Sequence, residues 1–241
     1  MLDEVTAIIL AGGRGTRLQP VVADRNKVLA QVNGRPFLTY LFDQALAAGI
    51  RHAVLCTGYK AGQVREELGL SYRDLQIAYS PEDQPLGTAG ALAHAARAGA
   101  ASKLICMNGD SYCDVRLDEL WQWHLAKGGA ATIQLAEVPD VSRFGSVALD
   151  KESRIIRFDE KGGLRSVGLI NAGIYCMGRE LLESIPADRA VSIEREVFPS
   201  LPSVGLFGRR ASCRFLDIGT PESYAAATAF FGAISAGKPA G

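Results

Sequence analysis

Residues Val5 to Leu10 form a short apolar run rich in branched side chains, and three glycines, Gly12, Gly13 and Gly15, follow almost at once. An apolar run of this length with no polar alternation reads as a strand buried on both faces of a parallel sheet. Glycine has no Cβ and tolerates positive φ, so such a loop can bring backbone N–H groups against a bulky anion. Arg14, Arg17 and Lys27 put cationic side chains around the same loop. A glycine turn with cations at the carboxyl end of a first strand is where open α/β sheets bind phosphorylated ligands. Two familiar phosphate loops do not fit. The dinucleotide fingerprint G-x-G-x-x-G is broken by Leu18, and no G-x-x-x-x-G-K-[ST] string occurs.

The chain then alternates between helical and strand periods. Phe37 to Ala48 has apolar residues at helical spacing and stops at Gly49, and Ala53 to Cys56 reads as a second buried strand. Ala61 to Leu68 is a helix ended by Gly69, Leu75 to Tyr79 a third strand, and Ala89 to Ala98 an alanine-rich helix. Lys103 to Met107 is a fourth strand and Leu117 to Lys127 an amphipathic helix. This order predicts an α/β fold, a Rossmann-like doubly wound mixed sheet with right-handed crossovers. After Ala130 the texture becomes β-rich: Ala131 to Val138, Ser146 to Leu149, Ile155 to Phe158 and Leu169 to Met177 read as strands. Helical patterns return at Arg179 to Ser184, Ile193 to Phe198 and Pro221 to Phe231. At 241 residues the expectation is one domain, with a nucleotide-binding half over 1–130 and a small β-rich sugar-binding part over 131–241. No hexapeptide period of a β-helix is present.

Composition narrows the partners. Twenty-six basic and 26 acidic residues cancel, which argues against nucleic acid, so any anion site must be local. The apolar runs are too short to cross a membrane, and the N-terminus, with Asp3 and Glu4, lacks the pattern of a signal peptide. Five widely spaced cysteines without a C-x-x-C pair read as buried free thiols in a reducing cytoplasm, the expected location. Assembly is left open, a homodimer included.

Two acids stand at strand ends. Asp110 follows Asn108-Gly109 after the Lys103 to Met107 strand, and Asp217 closes a strand-like run before Gly219 and the helix start Thr220-Pro221. Each could hold Mg²⁺ against phosphate; taken alone, Asp110 reads better as a cap of the following turn, and Asp217 also reads as a turn former.

The string Leu10-Ala11-Gly12-Gly13-Arg14-Gly15-Thr16-Arg17-Leu18 followed by Lys27 resembles the first signature of the sugar-1-phosphate nucleotidyltransferases. That signature usually closes with Pro-Lys, and Asn26-Lys27 stands here. The resemblance implies a nucleotidyltransferase fold related to glycosyltransferase-A, with Mg²⁺ held by Asp110 and Asp217. It implies that Arg17, Lys27 and Asp110 are catalytic, and that residues 10–16 and Asn108 bind the nucleotide. The loop Ser80-Pro-Glu-Asp-Gln-Pro-Leu-Gly-Thr-Ala-Gly90 should lie at the nucleobase, through Glu82, Gly87 and Thr88. Glu160-Lys161-Gly162 resembles a second signature, usually Glu-Lys-Pro, and implies sugar and sugar-phosphate binding by Glu160 and Lys161. Gly145 and Asn171 match positions that line the sugar pocket.

Within the family, the block Lys27 to Leu38 and the Pro-Leu-Gly-Thr-Ala-Gly loop are most similar to bacterial D-glycero-α-D-manno-heptose 1-phosphate guanylyltransferases. The implied reaction joins GTP and that heptose 1-phosphate into GDP-heptose and pyrophosphate. Mannose 1-phosphate guanylyltransferases and N-acetylmuramate 1-phosphate uridylyltransferases share most of the motifs. A nucleotide-sugar-sensing regulatory subunit is the non-catalytic alternative, disfavoured because Lys27, Asp110, Lys161 and Asp217 are all retained.

Overall fold

The computed structural model describes residues 2–22, 25–98, 102–159, 165–201 and 205–237. The N-terminal half runs β1 (Val5–Leu10), α1 (Gln19–Val22), β2 (Gln31–Val32), β3 (Arg35–Pro36), α2 (Leu38–Ala47), β4 (His52–Thr57) and α3 (Ala61–Leu68). It continues through β5 (Ser71–Tyr72), β6 (Leu75–Pro81), α4 (Gly87–Arg97), β7 (Lys103–Asn108), β8 (Ser111–Cys113) and α5 (Leu117–Lys127). The second half holds β9 (Ala131–Val138), β10 (Ser146–Leu149), β11 (Ile155–Asp159), β12 (Gly168–Gly178) and α6 (Arg179–Glu183). Then come β13 (Leu206–Arg210), β14 (Phe215–Asp217), α7 (Pro221–Ala225) and α8 (Ala227–Ser235).

Eight strands form one mixed sheet in the order β13-β9-β12-β7-β1-β4-β6-β5. β1 lies parallel to both β4 and β7, while β12 runs antiparallel to both of its neighbours, β7 and β9. The chain fills the sheet on one side of β1, through β4 and β6, and then returns to place β7 on the other side. That reversal leaves a crevice at the carboxyl ends of β1 and β7, the usual ligand site of open α/β sheets.

Residues of β1 alternate between two cores. Val5, Ala7 and Ile9 pack with Leu38, Leu41, Phe42, Val64, Leu117 and Leu120 of α2, α3 and α5. Ile8 faces the opposite layer with Ala89 and Leu92 of α4, Leu182 of α6 and Phe198. A strand sandwiched between helix layers must be apolar on both faces, which is why β1 carries no polar alternation. A third cluster ties the C-terminus down. Leu18, Phe37 and Tyr40 pack on Leu216, Ile218, Ala227 and Phe231, with the rings of Tyr40 and Phe231 stacked 3.6 Å apart.

Two sequence expectations change, and the structure adds what joins the halves. The β-rich part is built onto the first, because β9, β12 and β13 extend the same sheet, while β10–β11 form a separate ribbon. Ile193 to Phe198 is a π-helical turn over Ile193–Val197, followed by a 3₁₀ turn over Phe198–Ser200. Pro199 withholds a donor there and Glu194 turns its carboxylate onto Thr88 and Tyr175. Pro221 to Phe231 is two helices, α7 and α8, divided at Ala226. The short strands β8 and β14 pair with each other, a ribbon too brief for any periodicity to reveal.

β12 carries a register shift between Asn171 and Tyr175. Gly173, at φ +75°, sits in it, and a Cβ there would lie 2.7 Å from Asn108 Nδ2 and 2.8 Å from Ser111 Oγ. Both the backbone conformation and the close approach demand glycine. Gly173→Ala should therefore destabilise the fold by about 1–3 kcal/mol, read as a lower urea midpoint at unchanged m value. A midpoint equal to wild type would show that the bulge relaxes freely.

Candidate active site

Strand register assembles the site. Leu10, the last residue of β1, pairs with Cys56 on one side and Asn108 on the other. Beyond the strands the loops stay bonded: Ala11 N donates to Cys56 O at 2.8 Å, Gly109 N to Leu10 O at 2.9 Å, and Glu82 N to Thr57 O at 2.7 Å. The glycine loop, the turn Gly58-Tyr59, the Glu82 loop and Asn108 to Asp110 are thereby gathered at one edge. They enclose a cleft of about 680 Å³, which Gly87, Thr88 and Ala91 of α4 close from the side.

Lys27 comes from a 3₁₀ turn over Lys27–Leu29 and is buried, yet its ammonium reaches Asp110, with Nζ 2.6 Å from Oδ2. What sets that turn is Asn26, which is fully buried. Its side-chain oxygen accepts from Val28 N at 3.1 Å as an N-cap, and its Nδ2 donates to Tyr59 O at 2.7 Å. Its own backbone N–H donates to Gln63 Oε1 at 2.7 Å. The rigidity lost with the usual proline is replaced by hydrogen bonds to the neighbouring loop and to α3. Gly15, at φ +59°, crosses directly over Lys27, and a Cβ at Gly15 would stand 2.8 Å from Lys27 Cβ. The third glycine of the loop is thus a packing requirement.

The two acids meet on the β8–β14 ribbon. Asp217 pairs across from Ser111, and Ile218 N donates to Asp110 O at 2.9 Å. Burial first, and then the charge of Asp110, push the Asp217 carboxyl above the usual aspartate range. Lys27, the Gly219 N–H at 2.8 Å and Arg17 pull the other way. Two carboxylates within electrostatic reach, with Asp110 in the lining of the cleft, are the donor set Mg²⁺ takes when substrate oxygens and water complete its shell. Asn108 Oδ1 and Ser111 Oγ, buried beside them without a hydrogen-bond partner, are two further oxygens at this edge. The residues present fit such an ion.

The remaining predicted residues divide. Leu10, Gly12, Gly13, Arg14, Glu82, Gly87, Thr88 and Asn108 line the cleft, Ala11 is buried behind it, and Thr16 and Arg17 lie exposed on the loop. Glu82 uses Oε2 to accept from Leu86 N at 2.8 Å and keeps Oε1 beside Gly12. Thr88 does not point freely into the cleft, because its hydroxyl donates to Glu194 Oε2 at 3.0 Å and accepts from Ile193 N at 2.8 Å. Asn171 is outside the cleft lining. Its amide is engaged with Gly173 N at 2.8 Å and Tyr175 OH at 3.0 Å, behind Asn108. Gly145 follows the turn Val141–Arg143, which touches the other end of the site through Arg143 and Thr220. Glu160 and Lys161 lie outside the described residues.

Sequence reasoning missed Asn26, Gly58, Tyr59 and Glu194. Gly58-Tyr59 carried a readable signal, a glycine at the carboxyl end of a buried strand, and Asn26 carried a cap signal. Glu194 carried none, since it reaches the site through the π-helical turn.

Known proteins with this sequence pattern and geometry can now be set beside it. Mannose-1-phosphate guanylyltransferase of Mycobacterium tuberculosis is 38% identical over 225 residues, covering 92% of this chain and 63% of that protein. The chain thus spans less than two thirds of that relative's length. D-glycero-alpha-D-manno-heptose 1-phosphate guanylyltransferase of Aneurinibacillus thermoaerophilus is 33% identical over 219 residues, covering 90% of this chain and 94% of that protein. The crystal structure of HddC from Yersinia pseudotuberculosis complexed with GMP-PN superposes with a TM-score of 0.83 at 32% identity, over 94% of this chain and 99% of that one. The Nucleotidyl transferase profile matches residues 6–233, and this chain belongs to that family.

Proposed function

We propose that this chain is a Mg²⁺-dependent sugar-1-phosphate guanylyltransferase, joining GTP and a sugar 1-phosphate into a GDP-sugar and pyrophosphate. The observation that carries the reading is the convergence of Lys27, Asp110 and Asp217 beside the glycine loop, with Lys27 and Asp110 in the lining of the cleft. A sensor of nucleotide sugars could dispense with a lysine buried against a carboxylate. The relatives named above, which are guanylyltransferases, support guanine.

The chemistry follows from charge. A sugar 1-phosphate carries nearly two negative charges at neutral pH. Its oxygen is a ready nucleophile toward the α-phosphorus of the triphosphate and needs no general base. Catalysis is then positioning and electrostatic stabilisation. Arg14, Arg17 and the loop amides receive the triphosphate, and Lys27 brings its ammonium to the reacting phosphate. Glu82, with Oε1 open to the cleft, accepts from the base. Lys161 and Glu160 hold the sugar phosphate and a sugar hydroxyl. Asp110 and Asp217 hold Mg²⁺, which supplies countercharge to the phosphates when bound.

D-glycero-α-D-manno-heptose 1-phosphate is the favoured sugar, because the heptose enzymes match over nearly their whole length. Mannose 1-phosphate is the second reading, favoured by the higher identity of the mycobacterial relative. The test is a matrix of pyrophosphate release, each of the common nucleoside triphosphates against heptose, mannose, glucose and N-acetylmuramic acid 1-phosphates. Release with GTP and heptose 1-phosphate alone is the expected result, and no release in any well would leave the regulatory reading.

Lys27→Ala should lower kcat by at least ~100-fold, the scale for losing one electrostatic contact in a water-excluded site. Turnover near wild type in the folded variant would remove Lys27 from the mechanism. Asp217 yields a pH prediction. Its raised folded-state pKa means that the metal-free fold loses stability as pH rises from the ordinary aspartate range through that raised value. Asp217→Asn keeps an acceptor for Gly219 N–H and abolishes the charge. In chelator at pH 7 it should melt about 2–4 °C above wild type, with the gap closing as pH falls toward 4. The same variant should be inactive. A lower melting temperature at pH 7 would contradict the repulsion.

A further inference from the structure

Cys113 and Cys213 stand a hundred positions apart in sequence, yet their sulfurs are 3.0 Å apart. Cys113 ends β8 and pairs with Phe215, and Asp114 N donates to Arg214 O at 2.9 Å, so the two thiols sit at one end of the β8–β14 ribbon. The other end carries Asp110 and Asp217. Cys113 is buried. Cys213 is half-buried and opens onto a second cleft of about 520 Å³, whose wall includes Glu137, Leu169 and Arg210. No part of the nucleotide cleft borders it.

The pair is unlike the other cysteines. Cys56, Cys106 and Cys176 are fully buried, and burial pushes their thiols up. Here the hydrogen bond between the two sulfurs brings Cys213 down and drives Cys113 up. A half-buried thiol 3.0 Å from a buried one, at the edge of a cleft, is the pattern of an attacking sulfur beside its resolving partner.

We propose that Cys113 and Cys213 form an oxidisable dithiol, closed to an intramolecular disulfide by a hydroperoxide, and that closure re-sets the ribbon holding Asp110 and Asp217. The Cys213 thiolate attacks one peroxide oxygen, the O–O bond breaks, and the other oxygen leaves as hydroxide or alkoxide. Cys213 is then a sulfenic acid. Cys113 sulfur attacks Cys213 sulfur, its proton joins the departing hydroxyl, and water leaves. Two thiols are oxidised and one peroxide is reduced. A disulfide spans about 2.05 Å, so the sulfurs must close by about an ångström. The sulfurs share the β8–β14 ribbon with Asp110 and Asp217, so part of that closure is passed to the acids, and even a fraction of an ångström there lowers the rate by about tenfold. The last step rests on the nucleotidyl-transfer reading, and the thiol chemistry does not.

The full-length reduced protein is treated with one equivalent of hydrogen peroxide and its free thiols are counted after denaturation. Digestion with trypsin and with an enzyme cutting before Asp110 separates Cys106 from Cys113. The expected result is a fall from five free thiols to three, a single bridge joining Cys113 and Cys213, and full reversal by dithiothreitol. Cys213→Ser, chosen because position 213 is half-buried at the edge of its cleft, should keep its four thiols under the same treatment. Amide exchange at Ile218 should slow about tenfold on oxidation, and pyrophosphate release should fall about tenfold or more. No bridge, a bridge through another cysteine, or equal thiol loss in Cys213→Ser would overturn the proposal. So would a bridge that leaves exchange at Ile218 unchanged. A clean bridge with altered exchange in a protein inactive even when reduced would instead count against the transferase reading and sustain the thiol one.

Discussion

Asp110 and Asp217 repel each other, and everything around them serves to hold them together. Their backbones are joined through Ile218 N–H and Asp110 O. Leu216 and Ile218, on either side of Asp217, are anchored in the cluster built from Phe37, Tyr40 and Phe231. Burial first and that repulsion second raise the Asp217 carboxyl, and Lys27, the Gly219 N–H and Arg17 offset them in part. Packing thus fixes where the Asp217 carboxylate stands relative to Asp110, and the apolar helix α8 contributes to that placement through Ala227 and Phe231.

The same economy governs the backbone. Leu10 is hydrogen-bonded into both β4 and β7, so one residue sets the spacing of three loops. The glycine loop then passes over Lys27, and Gly109 N–H returns to Leu10 O. On the far side Asn108, Asn171, Tyr175, Glu194 and Thr88 form a partly buried polar chain, centred on the buried Tyr175, that links β7, β12, the π-helical turn and α4. Partly buried hydroxyls and carboxylates in such a chain favour one arrangement, since a slip leaves polar groups unpaired.

Asn26 illustrates how a local departure is absorbed. Proline would restrict the chain before Lys27 by its ring; asparagine does so by capping the 3₁₀ turn and bonding to Tyr59 O and Ala11 O. The result is still a buried lysine against Asp110. Judged by the pattern alone, the substitution loosens the lysine. Judged by the contacts, it moves the constraint from a covalent ring to a hydrogen-bond network.

What the sequence determined by itself was whatever depends on neighbours in the chain. The strand Val5–Leu10, the helices Ala61–Leu68 and Leu117–Lys127, and the strand Ala131–Val138 were all legible, because period and end signals are local. So was the cationic glycine loop, and with it the family resemblance. The structure alone decided which distant pieces meet: the ribbon of β8 and β14, the continuation of the sheet into β9, β12 and β13, the place of Glu194, and the meeting of Cys113 with Cys213. Strands of three residues carry no period, and a thiol or a carboxylate carries no sign of its partner. Those pairings arise from packing and long-range register, which exist only once the chain has folded.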